Sequence, residues 1–122
     1  MATTSELWEA LTDYTSRAKD SARVQRTLKN WDCIMHIAAT DIESNFTCVI
    51  RGGEFVSLDE GLNGVPDLVI RGDSEDLANV FWGDENPASN YMQGAIEVRG
   101  SQEDIIRLDA MAMFLYLDLG GQ

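Results

Sequence analysis

Residues 67–100 read DLVIRGDSEDLANVFWGDENPASNYMQGAIEVRG and carry the clearest structural signals in the chain. Apolar strands are predicted over residues 67–71 and 95–99, with Leu68 and Ile70 facing inward in the first of them. Two short helices rich in bulky apolar side chains separate these strands. Large side chains on helices that pack against a sheet can line a pocket, so this segment is the first candidate for a binding site.

Capping residues and glycines mark the ends of both short helices. The first is expected to begin at Asp73-Ser74, where the Ser74 hydroxyl can accept hydrogen bonds from free backbone amides, and to end at Gly83. The second is expected to begin at Asn86-Pro87, because proline at the first helical position loses no needed N–H, and to end at Gly94.

The length of 122 residues predicts a single domain spanning residues 1–122. The composition is ordinary except for charge: 21 acidic residues against 9 basic ones give a formal net charge of −12. This charge repels nucleic-acid phosphates and anionic membranes, so we expect neither nucleic acid nor stable membrane insertion. Solubility is the simpler explanation of the charge.

The cysteine content and the N-terminal sequence favour a cytoplasmic protein. Cys33 and Cys48 lie in strand-like segments without a second cysteine or histidine at metal spacing, which is typical of buried thiols in a reducing compartment. The N-terminal residues lack the pattern of a secretion signal, and no segment reaches the ~20 apolar residues of a membrane span.

The first helix is expected over residues 5 to about 29, with Ser5 as its cap. A weak patch over residues 18–22 could break it. Its apolar face carries Leu7, Leu11, Tyr14 and Ala18.

A period of two over residues 31–59 predicts three strands. Gly52-Gly53 is expected to form a two-residue hairpin turn, because both positions can adopt positive φ. Val56 and Leu58 are expected to face inward. The strands are predicted over residues 31–39, 45–51 and 54–59.

The last helix is expected to begin at Ser101. It is amphipathic at first and becomes apolar on nearly every face over residues 111–117. Such a helix must be covered by the domain, by a partner or by a ligand.

The order of these elements predicts an α+β fold. Three consecutive strands with short links favour a five-stranded, mainly antiparallel sheet with helices packed on one face.

Residues typical of catalysis or of metal binding do not form a recognisable group. His36 is the sole histidine, and neither cysteine lies near it at a known spacing. Arg51, Arg71 and Arg99 end three strands and could hold an anionic head group, although ordinary surface ion pairs explain them as well. We therefore expect no enzyme activity, no catalytic residues, no metal and no cofactor.

The segment from Asp67 to about Leu117 resembles the sterol carrier protein-2 family of lipid-binding domains. The resemblance is carried by the motifs DLVIRGDS, SEDL and NPASNYMQG, then IEVRG and the closing apolar helix. The residues before this segment share with the family only the order of their predicted elements: a long helix, a strand that begins with Trp31, and a hairpin.

The resemblance implies an apolar tunnel between the sheet and the helices, which would bind a fatty acid, a fatty acyl-CoA or a sterol-like ligand. Gln93 would be the polar group close to the ligand, and the bulk of Phe81 and Trp82 would narrow the tunnel. The residues that the resemblance places near the ligand are Phe81, Trp82, Tyr91, Met92, Gln93, Ile105, Leu108, Met111, Ala112 and Leu115.

Two functions remain open from the sequence. The first is non-enzymatic binding or transfer of a lipid or another apolar small molecule. The alternative is an accessory interaction module whose apolar C-terminal helix forms a homodimer or contacts a lipid-metabolising enzyme. An enzyme without a cofactor, acting through His36 or a buried carboxylate, is a weaker third hypothesis.

Overall fold

The computed structural model describes residues 2–83 and 94–118. The predicted second short helix at Asn86-Pro87 lies outside these ranges. The helices are α1 (Thr4–Asp20), α2 (Ala22–Leu28), α3 (Ser74–Trp82) and α4 (Gln102–Asp118). The strands are β1 (Cys33–Ala39), β2 (Ser44–Arg51), β3 (Glu54–Glu60), β4 (Leu68–Gly72) and β5 (Ile96–Gly100).

The five strands form one mixed sheet in the order β3-β2-β1-β4-β5. Strands β1 and β4 are parallel, with Met35 opposite Leu68 and Ala39 opposite Gly72. The other three pairs are antiparallel. The predicted α+β class and the mainly antiparallel sheet are therefore confirmed.

The helices cover one face of this sheet and form the core with it. Alternate residues of the strands point toward the helices and are buried, as strand geometry requires. The inward residues of β1, β2 and β4 include Cys33, Met35, Ile37, Phe46, Cys48, Ile50, Leu68 and Ile70.

The link between β3 and β4 must cross β2 and β1, because β4 lies beyond them in the strand order. It does so on the face opposite the helices, where it contacts His36 and Thr47. Polar side chains of the central strands bind this link. The Thr47 hydroxyl donates to the Gly61 carbonyl at 2.7 Å and accepts from the Asn63 amide at 2.9 Å. His36 Nε2 donates to the Asn63 carbonyl at 3.0 Å. His36 therefore has a structural partner in the fold.

The first helical segment divides where its sequence is weak. Helix α1 ends at Asp20, and the Ser21 hydroxyl then accepts a hydrogen bond from the Val24 amide at the start of α2. The predicted cap at Ser5 was wrong. Thr3 caps α1 instead, because Glu6 completes a reciprocal capping box with it.

The hairpin between β2 and β3 has the predicted turn but a different strand phase. Gly52 and Gly53 have φ angles of +58° and +82°. The register shifts between Val49 and Ile50, so that Phe55 pairs with Ile50 and packs against the core. Val56 becomes the extra residue of a β-bulge and is 56% exposed, so its predicted inward position was wrong.

Helix α3 is fixed at its start by residues that are distant in sequence. Asp73, and not Ser74, caps the helix by accepting from the Asp76 amide at 2.9 Å. The buried Ser74 accepts from the Ala2 amide at 2.9 Å and donates to Asp41 at 2.8 Å through its hydroxyl. Desolvation would raise the pKa of Asp41, but the hydrogen bonds from Ser74 outweigh it and lower that pKa.

The hairpin turn gives a matched pair of substitutions. A Cβ at Gly53 would lie 2.5 Å from the Leu28 carbonyl oxygen, whereas nothing lies within 4 Å of a Cβ at Gly52. We expect Gly52→Ala to cost about 1 kcal/mol of folding free energy for its left-handed backbone. Gly53→Ala should cost clearly more, because backbone must also move. Urea denaturation measures both, and equal losses would contradict this account.

Candidate functional site

Two small apolar cavities lie between the helices and the sheet. The first has a volume of about 30 Å³ and the second about 20 Å³. Side chains from α1, α3, α4 and β4 line both cavities: Tyr14, Phe81, Leu108 and Ile70.

These four side chains form the shared wall of the two cavities. Tyr14 and Phe81 pack edge to face, with their ring centroids 5.2 Å apart and their planes at 75°. A contact of this kind stabilises an aromatic pair beyond simple burial. Phe81 and Leu108 therefore each line both voids.

Helix α3 is also fixed at its C-terminal end, close to the shared wall. Gly83 ends the helix in the left-handed conformation, as predicted, with φ of +85°. An Arg17 Nη2 atom donates to the Phe81 carbonyl, and Arg17 Nε binds Asp13 at 2.8 Å. Backbone capping and the Arg17 contact together hold Phe81 over the sheet.

Four of the predicted site residues line the cavities. Phe81 and Leu108 belong to the shared wall, Ala112 lines the first cavity and Met111 lines the second. Residues 108, 111 and 112 share one face of α4, which the helical repeat directs toward the sheet.

The other predicted site residues line neither cavity or are not described. Ile105 is half-buried against the core, and Leu115 is buried at the far end of α4. Trp82 is 38% exposed. The remaining three lie outside the described residues: Tyr91, Met92 and Gln93.

Several cavity residues were not assigned to the site from the sequence. Tyr14 was assigned to the buried face of α1 and Ile70 to the inner face of β4, both as core. Leu77 lies one turn before Phe81 on α3, Val80 directly precedes Phe81, and both line the first cavity. The spacing of 77, 80 and 81 was a usable signal, because residues three and four apart share a helix face.

The remaining polar candidates have structural roles. The register places Arg71 opposite Glu97, and Arg99 forms an ion pair with the same Glu97, which fits the alternative of ordinary surface ion pairs. Cys48 lines the second cavity, where burial raises the pKa of its thiol to about 12. Within residues 2–83 and 94–118, no group of three or more histidine, cysteine or acidic side chains could hold a metal ion.

Helix α4 is largely covered by the rest of the domain. Met111 and Leu115 are buried, whereas Ile106 and Leu117 are 59% and 42% exposed. Arg107 fixes the helix against α2 by donating to the carbonyls of Thr27 and Lys29 at 3.4 and 3.2 Å. In the part of the chain that the structure describes, no helix has the length and apolar character needed to span a membrane.

Comparison with known proteins identifies one family. The model of the SCP-2 sterol transfer family matches residues 11–112. The match reaches back into α1, well before the segment whose motifs resembled the family. No curated protein sequence matches the chain.

Solved structures of sterol carrier proteins have the same fold. A crystal structure of sterol carrier protein 2 has a TM-score of 0.66 at 16% identity, over 89% of this chain and 92% of that one. The palmitated SCP2L2 from Aedes aegypti has a TM-score of 0.64 at 14% identity, over 88% and 91%. The ubiquinone synthesis protein UbiJ-SCP2 has a TM-score of 0.63 at 11% identity, over 89% and 94%.

Larger proteins contain the same fold as one part. The stereoselective inverting sec-alkylsulfatase Pisa1 from Pseudomonas sp. matches with a TM-score of 0.57 at 12% identity. The match covers 73% of this chain, but the chain spans only 14% of the sulfatase.

Two neighbouring residues of α3 test the importance of the shared wall. Phe81→Ala should lower the free energy of unfolding by about 3–5 kcal/mol, because it removes a buried ring and leaves a void. Trp82→Ala, on the exposed side, should cost less than about 1 kcal/mol. Urea denaturation measures both variants. Similar costs for the two variants would show that Phe81 contributes no special packing.

Proposed function

Because the chain belongs to the SCP-2 sterol transfer family, we propose that it binds an apolar lipid between its helices and its sheet. The family binds and transfers lipids. The observation that carries the proposal is the pair of apolar cavities on either side of the shared wall. Their lining comes from every layer of the domain, so a ligand there would contact α1, α3, α4 and the sheet.

Ligand entry requires the shared wall to open. A cavity of about 30 Å³ holds no more than a water-sized molecule, so a lipid needs the two voids to join. We expect the side chains of Phe81 and Leu108 to move when a ligand enters, because each of them lines both voids. The proposed tunnel is therefore closed in this structure and opens around a ligand.

Burial of the hydrocarbon supplies the binding energy. Each CH₂ group removed from water contributes ~0.8 kcal/mol, less the cost of displacing the wall side chains. The palmitated relative from Aedes aegypti supports a chain-like ligand, with a fatty acid, a fatty acyl-CoA and a sterol-like molecule as the ligand classes to test.

The proposed mechanism has no covalent step. The sulfatase shares the fold over a small part of its length, so its activity does not extend to this chain. The buried cysteine thiols remain protonated, because burial raises the pKa of each to about 12, and His36 binds the β3–β4 link. We propose a carrier that works in the cytoplasm.

A pair of tryptophan substitutions on α4 tests the ligand site. Leu108→Trp should weaken binding of a fluorescent fatty acid by at least about tenfold, because the indole fills the space between the voids. Ile106→Trp, on the exposed side of the same helix, should leave binding unchanged. Fluorescence titration measures affinity, and native mass spectrometry of the purified protein detects any co-purified lipid.

Folding of each variant is checked by circular dichroism. If Leu108→Trp does not fold, Ala112→Leu is the second variant, because it fills the first cavity with fewer atoms. Binding that survives both cavity-filling variants, or no binding by the unmodified protein, would overturn the proposal.

A second candidate function is protein interaction through the outer face of α4. Ile106, Ala110, Met113 and Leu117 follow the helical repeat and form one apolar stripe, whose end residues are exposed. The ubiquinone synthesis protein UbiJ-SCP2 has the same fold, which fits a domain that assists a lipid-metabolising enzyme.

Sedimentation tests whether this stripe pairs two copies. The net charge of −12 opposes self-association, and salt screens it. If copies pair through the stripe, a dimer should appear at high salt and disappear in Ile106→Glu. A strict monomer at high salt would exclude the homodimer and leave a different protein as the partner.

A further inference from the structure

The shared wall contains one polar group, the Tyr14 hydroxyl, that has no hydrogen-bond partner among the described residues. Tyr14 is 6% exposed, and its ring packs on Phe81. A buried tyrosine hydroxyl ordinarily finds a hydrogen-bond partner. Within residues 2–83 and 94–118, none of the hydrogen bonds involves the Tyr14 hydroxyl. A buried donor without an acceptor is costly, and a bound molecule can supply that acceptor.

The surroundings of Tyr14 are apolar. The other three members of the shared wall are Ile70, Phe81 and Leu108. In the first cavity the remaining lining side chains are Leu77, Val80, Ile96 and Ala112. Among the described side chains that line the first cavity, Tyr14 is thus the polar one, the arrangement that orients an apolar ligand carrying one oxygen. The second cavity is also lined by Thr15, whose hydroxyl already donates to the Thr12 carbonyl at 3.0 Å, and by the Cys48 thiol.

The hydroxyl stays protonated in this environment. Burial raises the pKa of Tyr14, and the nearby Arg17 offsets only part of that rise. The Arg17 guanidinium lies 5.7 Å from the Tyr14 ring centroid, but it binds Asp13 and the Phe81 carbonyl. Tyr14 therefore presents an O–H donor, and the nearest cation already has an anionic partner.

We propose that the Tyr14 hydroxyl donates a hydrogen bond to an uncharged oxygen of the bound lipid, such as an ester, ketone or alcohol oxygen. The inference rests on the proposed lipid-binding function and specifies its ligand class. An ionised carboxylate is disfavoured at this position, because its desolvation far exceeds what one neutral donor returns. A carboxylate head group must then lie outside the cavities.

Three probes of similar chain length separate the contributions of hydrocarbon, neutral oxygen and charge. The probes are dodecane, methyl laurate and laurate. Displacement of the neutral dye N-phenyl-naphthylamine reports the affinity of each, at mildly alkaline pH where laurate is ionised. In the unmodified protein, methyl laurate should bind about tenfold more tightly than dodecane, as one hydrogen bond to a buried donor predicts.

Two conservative variants assign this preference to one hydroxyl. Tyr14→Phe should remove the advantage of methyl laurate and leave dodecane binding unchanged or slightly tighter. Tyr116→Phe removes a half-buried hydroxyl of α4 that lines neither cavity, and it should retain the preference.

The outcomes distinguish this inference from the function on which it rests. Dodecane binding without a preference for methyl laurate would overturn the role of Tyr14 and keep the lipid site. A preference that survives in Tyr14→Phe, or an equal loss for all probes, would overturn it too. Laurate that binds as tightly as methyl laurate and responds to Tyr14→Phe would overturn the uncharged ligand class. No binding of any probe would overturn both proposals.

Discussion

The parallel pairing of β1 with β4 is the constraint on which the rest of the domain depends. It places β4 beside the central strand although 28 residues separate Ala39 from Leu68. The chain reaches that position by crossing the face opposite the helices, where His36 and Thr47 bind it. The same pairing sends α3 directly from the end of β4 onto the helical face. Phe81 therefore meets Tyr14, and the shared wall exists.

Local signals predicted most of this architecture, because they depend on a few neighbouring residues. Paired glycines specified the hairpin turn, and Gly83 specified the end of α3. The wrong predictions concern residues whose roles depend on contacts with distant parts of the chain. Ser74 could not be recognised as a buried link, because Asp41 and Ala2 reach it only in the folded chain. Val56 fitted a regular alternation, and the β-bulge that displaces it is a property of the pairing with β2.

Some residues of the candidate site were predicted before the structure was known, whereas the contacts between distant helices that complete the site were not. The resemblance to the family placed Phe81, Leu108, Met111 and Ala112 near a ligand, and these four residues line the cavities. Tyr14 lies more than sixty residues before Phe81 and shares a helix face with ordinary core residues, so no local pattern marks its hydroxyl as different. Packing between distant helices creates that difference, and it turns a core tyrosine into the proposed contact for a ligand oxygen.

Part of the acidic charge lies on the two strands at the ends of the strand order. Strands β3 and β5 are the two edges of the sheet, and unpaired edges are sites where sheets of separate molecules can join. Exposed Glu54, Asp59 and Glu60 lie on β3, and Glu97 and Arg99 lie on β5. A second sheet that approached either edge would have to desolvate these ions. If the protein opens its core to admit a lipid, as proposed, these charged edges would oppose amyloid-like association while apolar surface is exposed.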